Sequence, residues 1–294
     1  MAILDTVEEK SDCRVGVDIG ATLAKLAVRA PDGKLGFEFH SANDLPAVQQ
    51  RIADLAPHCV GLTGCGAKAL EARLDLPTLR MLEFEAWGLG SRSLLRAQGI
   101  DENSPYLLVS LGTGTSVLRV EGEEVSRVGG TALGGGTVLG LGVALTGCAT
   151  HRAICRLAER GDRGRVDLRV GDIYEAGEIA LPGETTAASF GNLARWLAQE
   201  PPEEADGGPD PSRPEDLAAA VMGLVGENVA LICGGIAQAT GIARLVYGGA
   251  TLHENPALVA TLQAVSAGMG NATIFLDEGS FAGAAGALER SANA

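Results

Sequence analysis

The sequence predicts an α/β protein of two similarly built domains, residues 1–103 and 104–294, facing each other across a cleft. Three observations predict it. Short apolar strand-like runs alternate with helix-like ones along the chain. The opening plan of the first hundred residues, strand then glycine turn then strand, restarts at Tyr106. The 41 glycines among 294 residues mark turns and form no repeat.

Arg14 to Val28 reads as two strands around a tight turn, with Val15, Val17 and Ile19 alternating before Gly20 and Leu23, Leu26 and Val28 after it. Ala47 to Ala56 is a helix, and Cys59 to Leu62 a buried strand. Thr63-Gly64-Cys65-Gly66 then turns into a helix that ends before Pro77. A strand at Leu79 to Leu82 leads through Glu83-Phe84-Glu85 to a connecting helix, Ala86 to Gln98. The second domain opens with strand Tyr106 to Leu111, loop Gly112-Thr113-Gly114-Thr115-Ser116 and strand Val117 to Val120. Gln199 to Asp216, with five prolines and many acids, is a solvated loop centred on 200–214. Helix Leu217 to Gly241, strand Leu245 to Tyr247, a helix capped by Asn255-Pro256, strand Thr273 to Leu276 and helix Ala282 to Leu288 complete the chain.

Charge and cysteine usage exclude several classes. A net charge of −14 leaves no basic stripe for nucleic acid or an anionic membrane surface. The six cysteines form no CxxC pair, and the four histidines, at 40, 58, 151 and 253, have neither metal-ligand nor triad spacing. Residues 1–12 carry acids early and resemble no leader. Val128 to Thr150 is uncharged, but its eight glycines suit turns better than a lipid-facing helix. The expectation is a cytoplasmic protein that touches no membrane.

The chemistry is expected at two facing bends. Asp18-Ile19-Gly20-Ala21-Thr22 and Gly112-Thr113-Gly114-Thr115-Ser116 each bring backbone N–H groups and hydroxyls to a turn, the geometry that cradles phosphates. Asp18 suits a magnesium shell and Lys25 phosphate oxygens, although Lys25 also reads as a solvated strand residue. An acid inside an apolar strand, as Asp18 is, needs a partner. Glu83 is placed to accept the proton of an attacking hydroxyl; equally, Glu83 or Glu85 complements the dipole of the helix that follows. Arg127, ahead of Val128-Gly129-Gly130-Thr131 and the triple glycine 134–136, can fork onto a carboxylate or phosphoryl group, or pair with Glu123 or Glu124. Tyr247-Gly248-Gly249-Ala250 marks a strand end open to a ligand, or simply a strand-to-helix turn. No P-loop and no protein-kinase signature occurs.

These residues resemble the type II pantothenate kinases, the fumble-like family of the actin-like (ribonuclease H-like) ATPase superfamily. The resemblance rests on Val17-Asp18-Ile19-Gly20 with Thr22 and Lys25, on Leu111 to Ser116, and on Arg127 to Thr131 running into Gly134-Gly135-Gly136. It extends through Asp172-Ile173-Tyr174, Ala188-Ser189-Phe190-Gly191, and Gly279-Ser280-Phe281 with Gly283 and Gly286. It implies a nucleotide cleft, with MgATP and pantothenate as substrates. Glu83 is then the catalytic base, with Arg127 beside it. Lys25 and both glycine turns, with Gly135 and Gly136, contact phosphates. Ser116 and Arg127 contact pantothenate, and Tyr247, Gly248 and Gly283 belong to the adenosine side. A homodimer and CoA or an acyl-CoA as a further ligand follow from the same resemblance. Ala21 departs from it, adding a methyl group where a second glycine is common. Two rivals differ in class or substrate: a kinase for another polyol or sugar, and a non-catalytic sensor of CoA thioesters or nucleotide.

Overall fold

The computed structural model describes residues 13–198 and 213–291. In the first half run β1 (Arg14–Ile19), β2 (Leu23–Arg29), β3 (Leu35–Ser41), α1 (Leu45–Leu55), β4 (Val60–Thr63), α2 (Ala67–Glu71), β5 (Thr78–Arg80) and α3 (Glu83–Ala97). The second half opens with β6 (Tyr106–Leu111), β7 (Thr115–Glu121), β8 (Glu124–Thr131), α4 (Gly135–Thr146) and α5 (His151–Ala158). An excursion follows, with β9 (Leu168–Arg169), β10 (Thr186–Ala188) and α6 (Gly191–Ala198). The chain then forms α7 (Pro214–Thr240), β11 (Arg244–Gly248), α8 (Pro256–Gly268), β12 (Ala272–Phe275) and α9 (Ala282–Ser291).

The two main sheets repeat one plan. The first has the order β3-β2-β1-β4-β5 and the second β8-β7-β6-β11-β12. In each, three antiparallel strands are extended by two that run parallel to the first strand of the set. Parallel edges need helical crossovers, which α2 and α7 with α8 supply. Each sheet has its own core: Val15, Val17, Ile52 and Leu62 in one, and Leu107, Val109, Met222 and Val229 in the other. α9 returns from the second half to lie on β1 and β4. It comes so close that a side chain on Gly16 or Gly61 would strike the carbonyls of Ala284 and Ala287.

Local boundaries depart from the sequence reading where glycine or a neighbouring strand decides them. The uncharged stretch after Val128 is not all turn, because Gly135 to Thr146 form α4. Gly142 sits there with Ile154 against its bare face, so it serves helix packing. Thr115 and Ser116 are strand residues held by pairing with Thr131 and Gly130. Pro214 to Asp216, read as loop, begin α7, with proline in the first turn and Glu215 and Asp216 facing the helix dipole. Residues 1–12 and 199–212 of the expected leader-free start and proline-rich loop lie outside the described residues. The sequence reading assigned no element to β3, although Leu35, Phe37 and Phe39 alternate along it, and none to residues 159–198. α7 is long and apolar enough to cross a membrane, but 72% of its most apolar window is buried inside the protein, as befits a core helix.

Candidate functional site

The ends of β1, β6, β7 and β8 and the starts of α3 and α4 enclose a cavity of about 900 Å³ between the sheets. Asp18, Gly20, Thr22 and Lys25 reach its wall from the first sheet, and Glu83 from α3. Gly112, Thr113, Gly114 and Ser116 reach it from the second sheet, joined by Arg127, Gly135 and Gly136. The two bends, separated by more than ninety residues in sequence, therefore share one space.

Asp18 is 3% exposed, and its partner is Lys25, whose Nζ lies 3.4 Å from Oδ2. The register of the hairpin places them opposite each other. Lys25 is itself 9% exposed, so it is no solvated strand residue. Two glycines make room for the carboxylate: a Cβ on Gly64 would fall 2.7 Å from Oδ1, and one on Gly283 2.6 Å from Oδ2. The adjoining turn is tight, with the Gly20 N–H donating to the Leu23 carbonyl at 3.0 Å. Ala21 is not among the residues with positive φ, so its methyl group adds no backbone strain.

Glu83 is the first residue of α3, which starts three residues earlier than its apolar spacing predicts. Leu82 is extended at φ −67° and ψ 142° and offers no side-chain cap, so the acids of the first turn face the bare N–H groups. Glu85 shares that turn but not the cavity wall. Burial of the Glu83 carboxyl raises its pKa, the Asp18 charge pushes the same way, and Lys25 opposes both. A carboxylate so tuned is a better proton acceptor near neutrality than an ordinary glutamate.

The second bend is anchored to α4. The Gly112 carbonyl accepts from the Gly135 N–H at 2.8 Å and from Thr251 Oγ1 at 2.8 Å, and the Thr113 carbonyl accepts from the Gly136 N–H at 2.9 Å. A Cβ on Gly134 would fall 2.8 Å from the Gly114 Cα, so only glycine lets helix and loop approach this closely. The first N–H groups of α4 are thus taken up by the loop carbonyls, while Gly135 and Gly136 line the cavity, so the positive end of the helix borders it. Arg127 forms no ion pair with Glu123 or Glu124 among the described residues. Its guanidinium instead lies over Gly130, 2.7 Å from where a Cβ would stand, and that glycine holds φ at +152°.

Three expected residues are off the cavity wall. Tyr247 is fully buried, its hydroxyl 2.9 Å from Ser266 Oγ and its ring stacked on Phe275 at 5.1 Å. Gly248 packs near Trp87 and the Gly279 carbonyl, and Gly283 stands behind Asp18. The segment after Tyr247 does reach the wall, through Ala250, Thr251, His253 and Glu254. Sequence reasoning also missed Phe39, Cys65, Trp87, His151 and Arg152 on the wall. Trp87 was within reach, since it stands one helical turn after Glu83; the others are brought in by strands and helices distant in sequence. His151 and His253 meet here without forming a metal site among the described residues. Burial lowers the His151 pKa, and the charge of His253 lowers it further.

The Fumble family model matches residues 83–290. A type II pantothenate kinase of Staphylococcus haemolyticus (strain JCSC1435) is 31% identical over 277 residues, 94% of this chain and 98% of the relative. One from Staphylococcus aureus (strain USA300) is 32% identical over 275 residues, with the same coverage. Among solved structures, the (R)-2-hydroxyglutaryl-CoA dehydratase component A of Acidaminococcus fermentans matches with a TM-score of 0.62 at 16% identity, covering 96% of this chain and 98% of that one. A ROK family glucokinase from Streptomyces griseus, in complex with glucose and AMPPNP, matches with a TM-score of 0.57 at 16% identity, covering 96% and 100%. At these identities the structures establish the fold, and they bear out the expected two-domain α/β architecture.

Proposed function

The chain belongs to the Fumble family and is similar over 94% of its length to type II pantothenate kinases, and on that premise we propose that it phosphorylates pantothenate with ATP, the reaction that opens coenzyme A biosynthesis. The observation that carries this reading is the Glu83 carboxyl, with its raised pKa, in the same cavity as Lys25 and two glycine bends. A sensor of nucleotide has no use for a tuned base.

In this reading Glu83 accepts the proton of the primary hydroxyl while that oxygen bonds to the γ-phosphorus. The bond from the γ-phosphorus to its bridging oxygen breaks, and ADP leaves. Lys25, the glycine bends and the N-terminus of α4 stabilise charge on the phosphate oxygens. Among the described residues Arg127 has no acidic partner to compete for it, so it can hold the pantothenate carboxylate in a forked pair, with Ser116 beside it. Placement supplies most of the rate, and exclusion of water from the cavity keeps transfer ahead of hydrolysis.

Magnesium is the metal this site fits. Asp18 offers a hard carboxylate on the wall, and no group of three or more metal-binding side chains occurs among the described residues. That donor set suits an ion held by one carboxylate, phosphate oxygens and water. When bound, the ion neutralises phosphate charge.

A cytoplasmic homodimer that also accepts CoA or an acyl-CoA completes the proposal. Support for the dimer lies in the resemblance and in the exposed apolar side chains of α4 outside the cavity, Val143 and Leu145. One assay tests the activity: purified protein, MgATP and pantothenate, with coupled ADP detection and mass analysis of the product. A product one phosphoryl group heavier than pantothenate is expected. Turnover with a panel of sugars and polyols but none with pantothenate overturns the substrate.

A further inference from the structure

We infer that Trp87 is a positioning residue for Lys25, holding its ammonium toward the phosphate side of the cavity and so setting affinity for ATP. The inference rests on the reading of the cavity as an ATP site. It concerns a residue outside every motif through which the chain resembles its family.

Lys25 has lost most of its hydration, and its ion pair with Asp18 at 3.4 Å is long for a charge-assisted hydrogen bond. One distant carboxylate does not satisfy three ammonium donors. Beyond the Asp18 and Glu83 charges, the group that faces the ammonium is the Trp87 indole, whose ring centre lies 5.8 Å from Nζ, within range for a cation over an aromatic face. That ring is fixed. Trp87 is 4% exposed and belongs to the core made with Tyr106, Leu108, Val246 and Leu276. A Cβ on Gly248 would stand 3.4 Å from Cζ3, and one on Gly283 3.1 Å from Nε1, so the bare faces of both glycines border the indole.

The placement has a mechanical consequence. Glu83 and Trp87 are four residues apart on α3 and share a face, so one helical turn sets both the proton acceptor and the floor beneath the cation. Trp87 is rooted in the core of the second half, yet Lys25 comes from β2 of the first. The indole thereby ties the position of the phosphate-binding cation to the relative position of the two sheets.

The test measures affinity of the full chain for a magnesium-loaded, non-hydrolysable ATP analogue by titration calorimetry. W87L is expected to weaken binding about tenfold, and W87F, which keeps an aromatic face, by under about threefold. In a K25Q background, adding W87L is expected to cost under about twofold, because the partner is gone. Equal losses for Leu and Phe, or a W87L loss that persists in K25Q, assign Trp87 a merely structural role and overturn the inference. Should W87L fail to fold, W196F provides the second measurement, since it leaves Trp87 as the single tryptophan. Its fluorescence should shift on adding the analogue, and the shift should vanish in K25Q/W196F; an unresponsive signal overturns the inference. Intact binding by W87L defeats the inference alone. Absence of binding by the unmodified chain defeats the ATP reading as well.

Discussion

Glu83 stands at the start of a helix, where the dipole favours its charge, while burial and the nearby Asp18 raise its pKa. Two outcomes follow at this scale. E83Q should lower kcat by about 10²–10⁴-fold while ATP affinity stays within about twofold, measured by steady-state kinetics and nucleotide titration. The same substitution should raise Tm at pH 7. The folded state binds the Glu83 proton more tightly than the unfolded chain does, so stability falls as pH rises from the ordinary glutamate value to the raised one. Glutamine mimics the protonated form, and the gain in Tm should disappear near pH 4. For the same reason the acid limb of the kcat/KM profile should lie above the ordinary carboxylate range. The choice between base and dipole partner was open in the sequence, because position along the chain does not report which carboxyl is desolvated. Glu83 turns out to serve the dipole and face the cavity at once.

At the scale of elements, glycine does two different jobs that sequence alone does not separate. Gly90 of α3 and Gly286 of α9 lie where the helices cross backbone to backbone, each facing a carbonyl of the other helix. G90A or G286A should destabilise the protein by about 1–3 kcal/mol or more, read as a fall in denaturation midpoint. Gly235 on α7 meets nothing within 4 Å and is not among the residues of positive φ, so G235A should stabilise it by about 0.5–1 kcal/mol. Element type was legible along most of the chain, because apolar alternation marks β1, a short apolar run marks β6 and a long one marks α7. Boundaries moved where an anchor lay far away. Thr115 and Ser116 joined β7 because Thr131 and Gly130 pair with them, and the first residues of α3 are helical despite lacking apolar spacing.

For the whole molecule, the proposed ligand bridges two sheets that belong to different halves of the chain, so it should stabilise both together. A non-hydrolysable ATP analogue at a hundred times its Kd should add about 2.7 kcal/mol and raise Tm in a single transition, seen by calorimetry. K25Q should lose most of that rise at equal ligand concentration. Light scattering should give twice the mass of the chain; a monomer removes the homodimer from the proposal. The repeated strand plan, the two glycine bends, the acid in β1 and the family's motifs were all determined by the sequence, because each depends on residues adjacent in the chain. The tertiary structure alone decided that Gly64 and Gly283 shelter Asp18, that Thr251 and α4 hold the second bend, that Tyr247 belongs to the core, and that Trp87 lies against Lys25. Those are contacts between segments tens to hundreds of residues apart, set by packing in three dimensions and invisible to any local pattern.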